Sequence, residues 1–205
     1  MIKYTLVYIA LFFCCISIES CGLLQSTKSF KQLEKGKHGV DTSVIYRLPF
    51  ADNKSVFVVQ GYASAFSHKA SLAIDFKVKT GTPVFAARGG VVTAARKDSD
   101  RHGLKQENLA DGNYIFITHN DGSTAQYWHF KKGGVLPAIG DSVLQGQLIG
   151  YSGHTGYSAF PHLHFEVSGY NNQGSFQNLP TRFCTNKGVV YLRPGKFYSV
   201  RSTSF

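Results

Sequence analysis

Cysteine is scarce in this sequence. Four cysteines occur among 205 residues, and two of them, Cys14 and Cys15, lie in an apolar N-terminal run. No pair shows Cys-x-x-Cys zinc spacing, and Cys21 and Cys184 alone are too few for a disulfide framework. Any metal would therefore have to be bound by histidine and carboxylate side chains. A disulfide between Cys21 and Cys184 and a free thiol at Cys184 both stay open.

Dense blocks of lysine or arginine are also lacking. The formal net charge is +10 and the isoelectric point is near 9.5, but the basic residues are scattered. Such a surface suits an anionic membrane or an anionic wall polymer, and we do not expect nucleic acid as a partner. The glycine-rich stretch 150–156 lacks the Gly-Lys-Ser/Thr ending of a phosphate-binding loop, which excludes that function.

The N-terminal apolar run is too short for a membrane span. It extends from Tyr4 to Ile18, whereas a spanning helix needs about 20 residues. With Lys3 before it, the run predicts a secretory signal peptide over residues 1–20 and export of the chain. The segment that ends in Ser20-Cys21 is similar to a lipobox, which predicts a lipid on Cys21. Ordinary cleavage near Ser20 is the alternative.

The remainder divides at a change of composition near residue 44. Residues 21–43 are polar and lysine-rich and predict a tether, with room for a short helix around residues 30–35. Residues 44–205 predict one domain. Most of the chain's 21 glycines lie there among short aromatic and β-branched runs, and no long helix is evident. This pattern predicts an all-β fold, a compact antiparallel sandwich or open barrel.

About ten short strands are predicted. The clearest cover residues 55–60, 72–78, 83–87, 90–94, 113–119, 123–130, 141–143, 147–150, 162–167 and 188–192. Asp121-Gly122 predicts a hairpin turn, because glycine tolerates the positive φ that such turns require. The charged stretch 97–112 predicts an exposed loop.

Polar residues that could bind a metal lie within these apolar strands. In a strand, His162 and His164 would point to the same face, because side chains alternate. Asp75 lies among apolar residues, where a carboxylate needs a partner or a cation. His68 precedes it by seven positions, so a turn could bring the imidazole back over the strand. Together His68, Asp75 and His164 have the composition of a catalytic zinc shell with an open position for water. The alternatives are that His162 and His164 lie on a solvent-exposed strand face and that His68 is an exposed loop histidine.

His129 and His162 would then be the groups that move protons. One could accept a proton from water and the other could stabilise a developing oxyanion. Alternation places His129 on the same face as Ala125 and Tyr127, so a half-buried structural histidine is the alternative. His119 and His154 receive no role, and His38 and His102 are expected in solvent.

The chain from about residue 46 to 183 resembles the LytM/lysostaphin-type zinc metallopeptidases of bacterial cell walls. The motifs that carry this resemblance keep their order over most of the chain. They are Gln60-Gly61-Tyr62, Ser67-His68, Ala73-Ile74-Asp75-Phe76, Gly81-Thr82-Pro83-Val84, Asn113-Tyr114-Ile115, His119 with Asp121-Gly122, Tyr127-Trp128-His129, Gly146-Gln147-Leu148-Ile149-Gly150, Ser152-Gly153-His154-Thr155-Gly156 and Pro161-His162-Leu163-His164-Phe165.

The resemblance implies an antiparallel β fold with a groove whose floor carries one zinc ion. It implies His68, Asp75 and His164 as ligands and His129 and His162 as the catalytic pair. Tyr62 is implied near the oxyanion. The implied reaction is hydrolysis of peptide bonds in the stem or cross-link peptides of peptidoglycan.

One spacing departs from the family pattern. The family usually places three residues between its first histidine and the aspartate, whereas six separate His68 from Asp75, and Ser71 stands at the usual position. We expect an extended turn to make up the difference. Members that have lost zinc ligands act as non-catalytic activators of other wall hydrolases, and that is the alternative function. A plain β-module that binds wall polymer is another.

Overall fold

The computed structural model describes residues 31–35, 44–69, 71–171 and 173–201, and strands dominate them. In chain order the strands are β1 Ile45–Arg47, β2 Ser55–Gln60, β3 Ile74–Lys77, β4 Pro83–Phe85, β5 Gly90–Arg96, β6 His102–Gly103, β7 Tyr114–Thr118, β8 Thr124–Trp128, β9 Phe130–Val135, β10 Ser142–Val143, β11 Leu148–Ser152, β12 Gly156–Tyr157, β13 His162–Tyr170, β14 Phe176–Asn178, β15 Arg182–Thr185, β16 Gly188–Tyr191 and β17 Lys196–Ser199. A 3₁₀ helix covers Gln106–Asp111, and a helical turn covers 31–34.

A nine-stranded antiparallel sheet forms the body of the domain. Its strand order is β10-β5-β7-β8-β13-β3-β2-β17, and β14 adds to β13. The longest strand, β13, lies between β8 and β3. Its odd-numbered residues Leu163, Phe165 and Val167 enter the hydrophobic core. His162 and His164 lie on the opposite face, as their alternation predicted.

The core joins residues of this sheet with residues of two three-stranded sheets, of order β4-β11-β9 and β1-β15-β16. Phe165 is central, with Tyr46, Tyr127 and Phe183 around it at ring-centroid distances of 6.1, 5.1 and 5.5 Å. The hydroxyl of the buried Tyr127 accepts a hydrogen bond from the Ala87 amide at 2.8 Å, so its polar atom is satisfied within the core. The predicted all-β fold is confirmed. Its strands pair antiparallel except in β1–β15 and β6–β12.

The N-terminal segment differs in part from the predicted tether. Leu33 is 5% exposed and belongs to the core, so residues 31–35 are docked on the domain. The predicted signal peptide and Cys21 lie outside the described residues, as does His38. Cys184 is half-buried and forms no disulfide with any residue that the structure describes. No helix in the described ranges has both the length and the apolar character that crossing a membrane requires.

The stretch 97–112 is anchored rather than a free loop. Strand β6 pairs with β12, and Ser99 exchanges two hydrogen bonds with the Asn113 side chain, at 3.0 and 2.8 Å. This stretch can therefore hold the 3₁₀ helix in a fixed place beside the main sheet.

The turn between β7 and β8 is the predicted hairpin. Gly122 has φ 79°, and Asp121 accepts hydrogen bonds from Ser123 and from Arg88. Partial burial raises the pKa of Asp121, but these hydrogen bonds outweigh burial and lower the pKa to about 2.

Replacing Asp121 with asparagine should therefore reduce stability at neutral pH. Since the carboxyl is 38% exposed, we expect a loss of about 1 kcal/mol after allowance for solvent screening. A carboxylate with a depressed folded pKa stabilises the protein above its unfolded value of 3.8. The difference between D121N and the parent protein should shrink as the pH falls from there through the folded pKa. Urea unfolding at several pH values measures it, and a difference independent of pH would contradict this account.

Candidate metal centre and active-site groove

The site is built on the two central strands of the main sheet. Asp75 on β3 stands directly opposite His164 on β13. His164 Nδ1 lies 2.9 Å from Asp75 Oδ1. Because both residues are on paired strands, the backbone hydrogen bonds keep their Cα atoms opposite each other.

His68 reaches the same carboxylate from a turn. Its backbone N–H donates to Ser64 O and its carbonyl accepts from Ser71 N, both at 3.1 Å, so the chain folds back before β3. His68 Nε2 then lies 3.3 Å from Asp75 Oδ2. Six intervening residues thus still bring this imidazole to the aspartate, as the predicted extended turn requires.

The proton positions leave a buried nitrogen free. His68 Nδ1 lies 3.2 Å from the Gly61 carbonyl, which can only accept, so Nδ1 carries the proton. Nε2 then has a lone pair, is buried and has no hydrogen-bond partner. Such an atom is costly unless a cation or donor meets it.

The residues present fit a zinc ion. One ligand atom from each of His68, Asp75 and His164 lies within 4.8 Å of the others. Two imidazole nitrogens and one carboxylate oxygen are a known catalytic zinc donor set. Gln60 Nε2 donates to Asp75 Oδ2 at 2.7 Å and orients the carboxylate. Burial raises the pKa of Asp75, but its interactions with the neighbouring imidazoles of His164 and His68 outweigh burial and hold that pKa well below the usual value.

Glu166 lies on the groove face beside His164. Its Oε2 is 3.9 Å from His164 Nε2 and accepts hydrogen bonds from Ser71 Oγ and Asn178 Nδ2, both at 3.1 Å. A carboxylate there favours the proton on Nε2, which would leave Nδ1 free for a metal. Burial lowers the pKa of His164, but Asp75 and then Glu166 outweigh it, and the net pKa is raised.

His129 enters the groove because its backbone breaks the strand pattern. It lies between β8 and β9 with φ 70°, so it leaves the face of Ala125 and Tyr127, which are in the core. The placement predicted from alternation is wrong for this reason. Its Nδ1 donates to the Thr155 carbonyl at 2.6 Å, which leaves Nε2 able to accept a proton. Burial, with smaller contributions from His162 and His164, lowers the pKa of His129 well below 6.5.

His162 is fixed in the same manner. Its Nδ1 donates to the Phe160 carbonyl at 2.8 Å, and Ser158 Oγ is 3.2 Å away. The ring centroid is 4.4 Å from that of His129, and Nε2 lies 3.8 Å from Asp75 Oδ1. Burial lowers the pKa of His162, and the charge of Asp75 offsets part of this effect.

The five predicted polar residues His68, Asp75, His129, His162 and His164 share one groove. Its walls are largely apolar and aromatic, and its floor carries the polar groups. The other lining residues are Gln60, Phe66, Ser67, Leu104, Leu109, Gly112, Trp128, Tyr157, Ser158, Ala159, Phe160 and Glu166. The 3₁₀ helix and the residues before it therefore form one wall, through Leu104 and Leu109.

Tyr62 does not line the groove, which contradicts its predicted place near the oxyanion. The side chain is fully buried. Its hydroxyl accepts from Thr181 N at 2.7 Å and donates to Thr181 O at 3.0 Å. Burial raises the pKa of this hydroxyl far above 10, so Tyr62 is a structural residue in this fold.

The remaining described histidines lie outside the groove. His119 is buried and its Nδ1 lies 2.8 Å from the Gly89 carbonyl. His102 is exposed, as predicted, and stacks on His154 with ring centroids 4.0 Å apart.

Gln60 and Glu166 were missed as candidate site residues. Glu166 follows His164 by two positions in the same strand, so alternation already placed both on one face. Gln60 belongs to the motif Gln60-Gly61-Tyr62, but no local pattern indicates which carboxylate it orients.

Fold and site together define a class: an all-β protein whose groove holds two histidines and one carboxylate able to bind a catalytic metal. The sequence profile described as Peptidase family M23 matches residues 69–177. The chain belongs to this family, which confirms the resemblance drawn from the motifs. The match begins one residue after His68, so the unusual spacing lies at its boundary.

Known relatives share this region. The chain is 34% identical over 146 residues to glycyl-glycine endopeptidase ALE-1 of Staphylococcus capitis, which covers 64% of this chain and 37% of that protein. It is 38% identical over 110 residues to lysostaphin of Staphylococcus simulans, covering 52% and 20%. It is 34% identical over 114 residues to peptidoglycan DD-endopeptidase ShyC of Vibrio cholerae, covering 55% and 24%. The chain therefore spans well under half the length of these relatives.

Two solved structures are also similar to this chain. The catalytic domain of lysostaphin from S. simulans is 31% identical, with 62% of this chain and 88% of that chain aligned and a TM-score of 0.44. The M23 metalloprotease pseudoalterin is 18% identical, with 78% and 98% aligned and a TM-score of 0.50. The second likeness concerns the fold alone.

Proposed function

We propose that this protein is a zinc-dependent endopeptidase that hydrolyses peptide bonds in the stem or cross-link peptides of peptidoglycan. The observation that carries the proposal is the buried, unpartnered His68 Nε2 beside Asp75 and His164. Relatives named as glycyl-glycine and peptidoglycan endopeptidases support the substrate class. The net charge of +10 also suits an anionic wall.

His68, Asp75 and His164 would hold the metal. A zinc ion bound there supplies Lewis-acid chemistry, which lowers the pKa of a water molecule and polarises a peptide carbonyl. His129, kept neutral by burial, accepts the proton of the attacking water at Nε2 and returns it to the leaving amine. The Asp75 carboxylate lies 3.8 Å from His162 Nε2 and offsets part of the effect of burial on its pKa, and His162 would donate a hydrogen bond to the oxyanion only when Nε2 carries a proton.

The groove walls would bind and orient the peptide. Trp128 and Phe160 present aromatic surface to the groove, and Leu109 adds apolar surface from the 3₁₀ helix. These contacts exclude water from the scissile bond, which strengthens electrostatic interactions inside the groove. The two relatives' names specify different bonds, and we propose only the shared class, a peptide bond of peptidoglycan.

The direct experiment is cleavage of cross-linked muropeptides. The protein loaded with one equivalent of zinc should release fragments that chromatography and mass spectrometry detect. Chelation should abolish cleavage, and added zinc should restore it. Intact substrate after incubation with fully loaded, folded protein would refute the proposal.

The contact of His68 with Asp75 supports a hydrolase over the non-catalytic activator. The activator hypothesis depended on the long spacing removing His68 from the site. At 3.3 Å from the aspartate, His68 supports a full ligand set. The wall-binding module needs none of these histidines, and variants of His164 separate it from the hydrolase.

We propose in addition that the chain is exported, with residues 1–20 as signal peptide and 44–205 as the metallopeptidase domain. The wall substrate of the relatives supports an envelope location. A lipid on Cys21 would anchor the protein to a membrane. Mass spectrometry of the mature N-terminal peptide tests this, and an unmodified terminus at any other residue would exclude the lipid.

A further inference from the structure

The docked turn 31–35 forms hydrogen bonds with the backbone of the segment before His68. Glu34 Oε1 accepts a hydrogen bond from the Tyr62 amide at 3.1 Å, and Lys31 Nζ donates to the Tyr62 carbonyl at 2.8 Å. Lys31 and Glu34 also pair with each other at 3.4 Å. Leu33 fixes the turn in the core, and Arg193 donates to the Glu34 carbonyl. Glu34 is therefore a buried carboxylate with a defined partner.

The Tyr62 amide belongs to the same peptide unit as the Gly61 carbonyl, and that carbonyl is the acceptor for His68 Nδ1. The unit is planar and, since no described bond is cis, its N–H and C=O point in opposite directions. Glu34 thus accepts a hydrogen bond from the N–H of this rigid peptide unit, and the C=O of the same unit accepts one from His68 Nδ1. A hydrogen bond to a charged acceptor at the N–H also strengthens the carbonyl as an acceptor.

The Glu34 carboxylate packs closely against Gly61. A Cβ built on Gly61 would lie 2.7 Å from Glu34 Oε1 and 2.9 Å from Pro194 Cδ. Any larger residue would therefore displace the Glu34 carboxylate or the Pro194 ring. Glycine at this position lets the Glu34 carboxylate approach the peptide that holds His68.

We propose that Glu34 is a positioning residue for the metal ligand His68. Through the Gly61–Tyr62 peptide it fixes the proton on Nδ1 and aims Nε2 at the metal position, as a carboxylate does directly in many metal sites. The metal centre would then include a segment that precedes the family-matched region. This inference rests on the proposed zinc function.

The test is zinc affinity, measured on the zinc-free full chain by competition with a chromophoric chelator. Glu34→Ala should weaken binding about tenfold. Glu34→Gln keeps an acceptor oxygen but not the charge, and should weaken it by less, about threefold. Val143→Ala, a buried position on the far edge strand β10, controls for lost stability and should bind zinc like the parent.

A double-mutant cycle with His68→Ala shows whether Glu34 acts through His68. In that background, Glu34→Ala should change zinc affinity less than twofold, because the connected ligand is already gone. Equal loss in both backgrounds, or parent-like affinity in Glu34→Ala, would overturn the inference. Since the readout is affinity, a parent that binds zinc but does not cleave peptidoglycan would refute the proposed function alone, and a parent without zinc binding would refute both.

Discussion

His164→Ala is expected to reduce muropeptide cleavage at least about a thousandfold, which corresponds to about 4 kcal/mol in the activation barrier. The variant removes the imidazole that faces Asp75 Oδ1 at 2.9 Å. Only two ligands would remain, so bound zinc should also fall below one equivalent. Initial rates and metal analysis on the same sample measure both effects.

His102→Ala is a suitable control for this variant. His102 is an exposed histidine that does not line the groove, so its replacement should leave both rate and zinc content near the parent values. If His164→Ala kept full function, the metal site would be irrelevant and the wall-binding module would be the better hypothesis.

The second large effect is expected at His129. His129→Asn should lower kcat by about 10²–10⁴-fold while zinc content stays at one equivalent, since a general base but no ligand is lost. Asparagine is chosen because φ is 70° here, and asparagine tolerates left-handed backbone better than most residues. Single-turnover cleavage with saturating enzyme isolates the chemical step.

The roles of base and ligand differ in what they change: loss of a base lowers kcat, whereas loss of a ligand lowers zinc content. A loss of zinc in His129→Asn would place His129 among the ligands rather than beside them. An unchanged kcat would mean that no proton passes through His129, and His162 would then have to serve as the base.

The strand that carries His162 and His164 could be predicted from sequence because the information is local. Alternation along a strand has a period of two, so Leu163 and Phe165 face the core while the histidines face the groove. The Asp121-Gly122 turn was predictable for the same reason. Asp75 drew attention because a carboxylate within an apolar strand needs a partner.

Other features depend on contacts that no local pattern contains. The orientation of His129 follows from one positive φ, and that of Tyr62 from hydrogen bonds to Thr181, 119 positions away. Strand β9 was missed because Lys131 to Gly134 have the composition of a loop. Pairing of β9 with β11 overrides this weak local preference.

The docked turn at 31–35 is another feature that local sequence patterns do not predict. Its composition favoured a tether, since only Leu33 is apolar among charged and polar neighbours. Its place is set by the Tyr62 backbone and the core. Residues 31–35 therefore pack on the domain that supports the site.

The most direct measurement is a crystal structure of the zinc-loaded protein with diffraction recorded on both sides of the zinc absorption edge. The account predicts one anomalous peak per chain, about 2.0–2.2 Å from His68 Nε2, an Asp75 carboxylate oxygen and His164 Nδ1. Zinc bound by other residues, or a His68 ring turned away from a metal held without it, would contradict it.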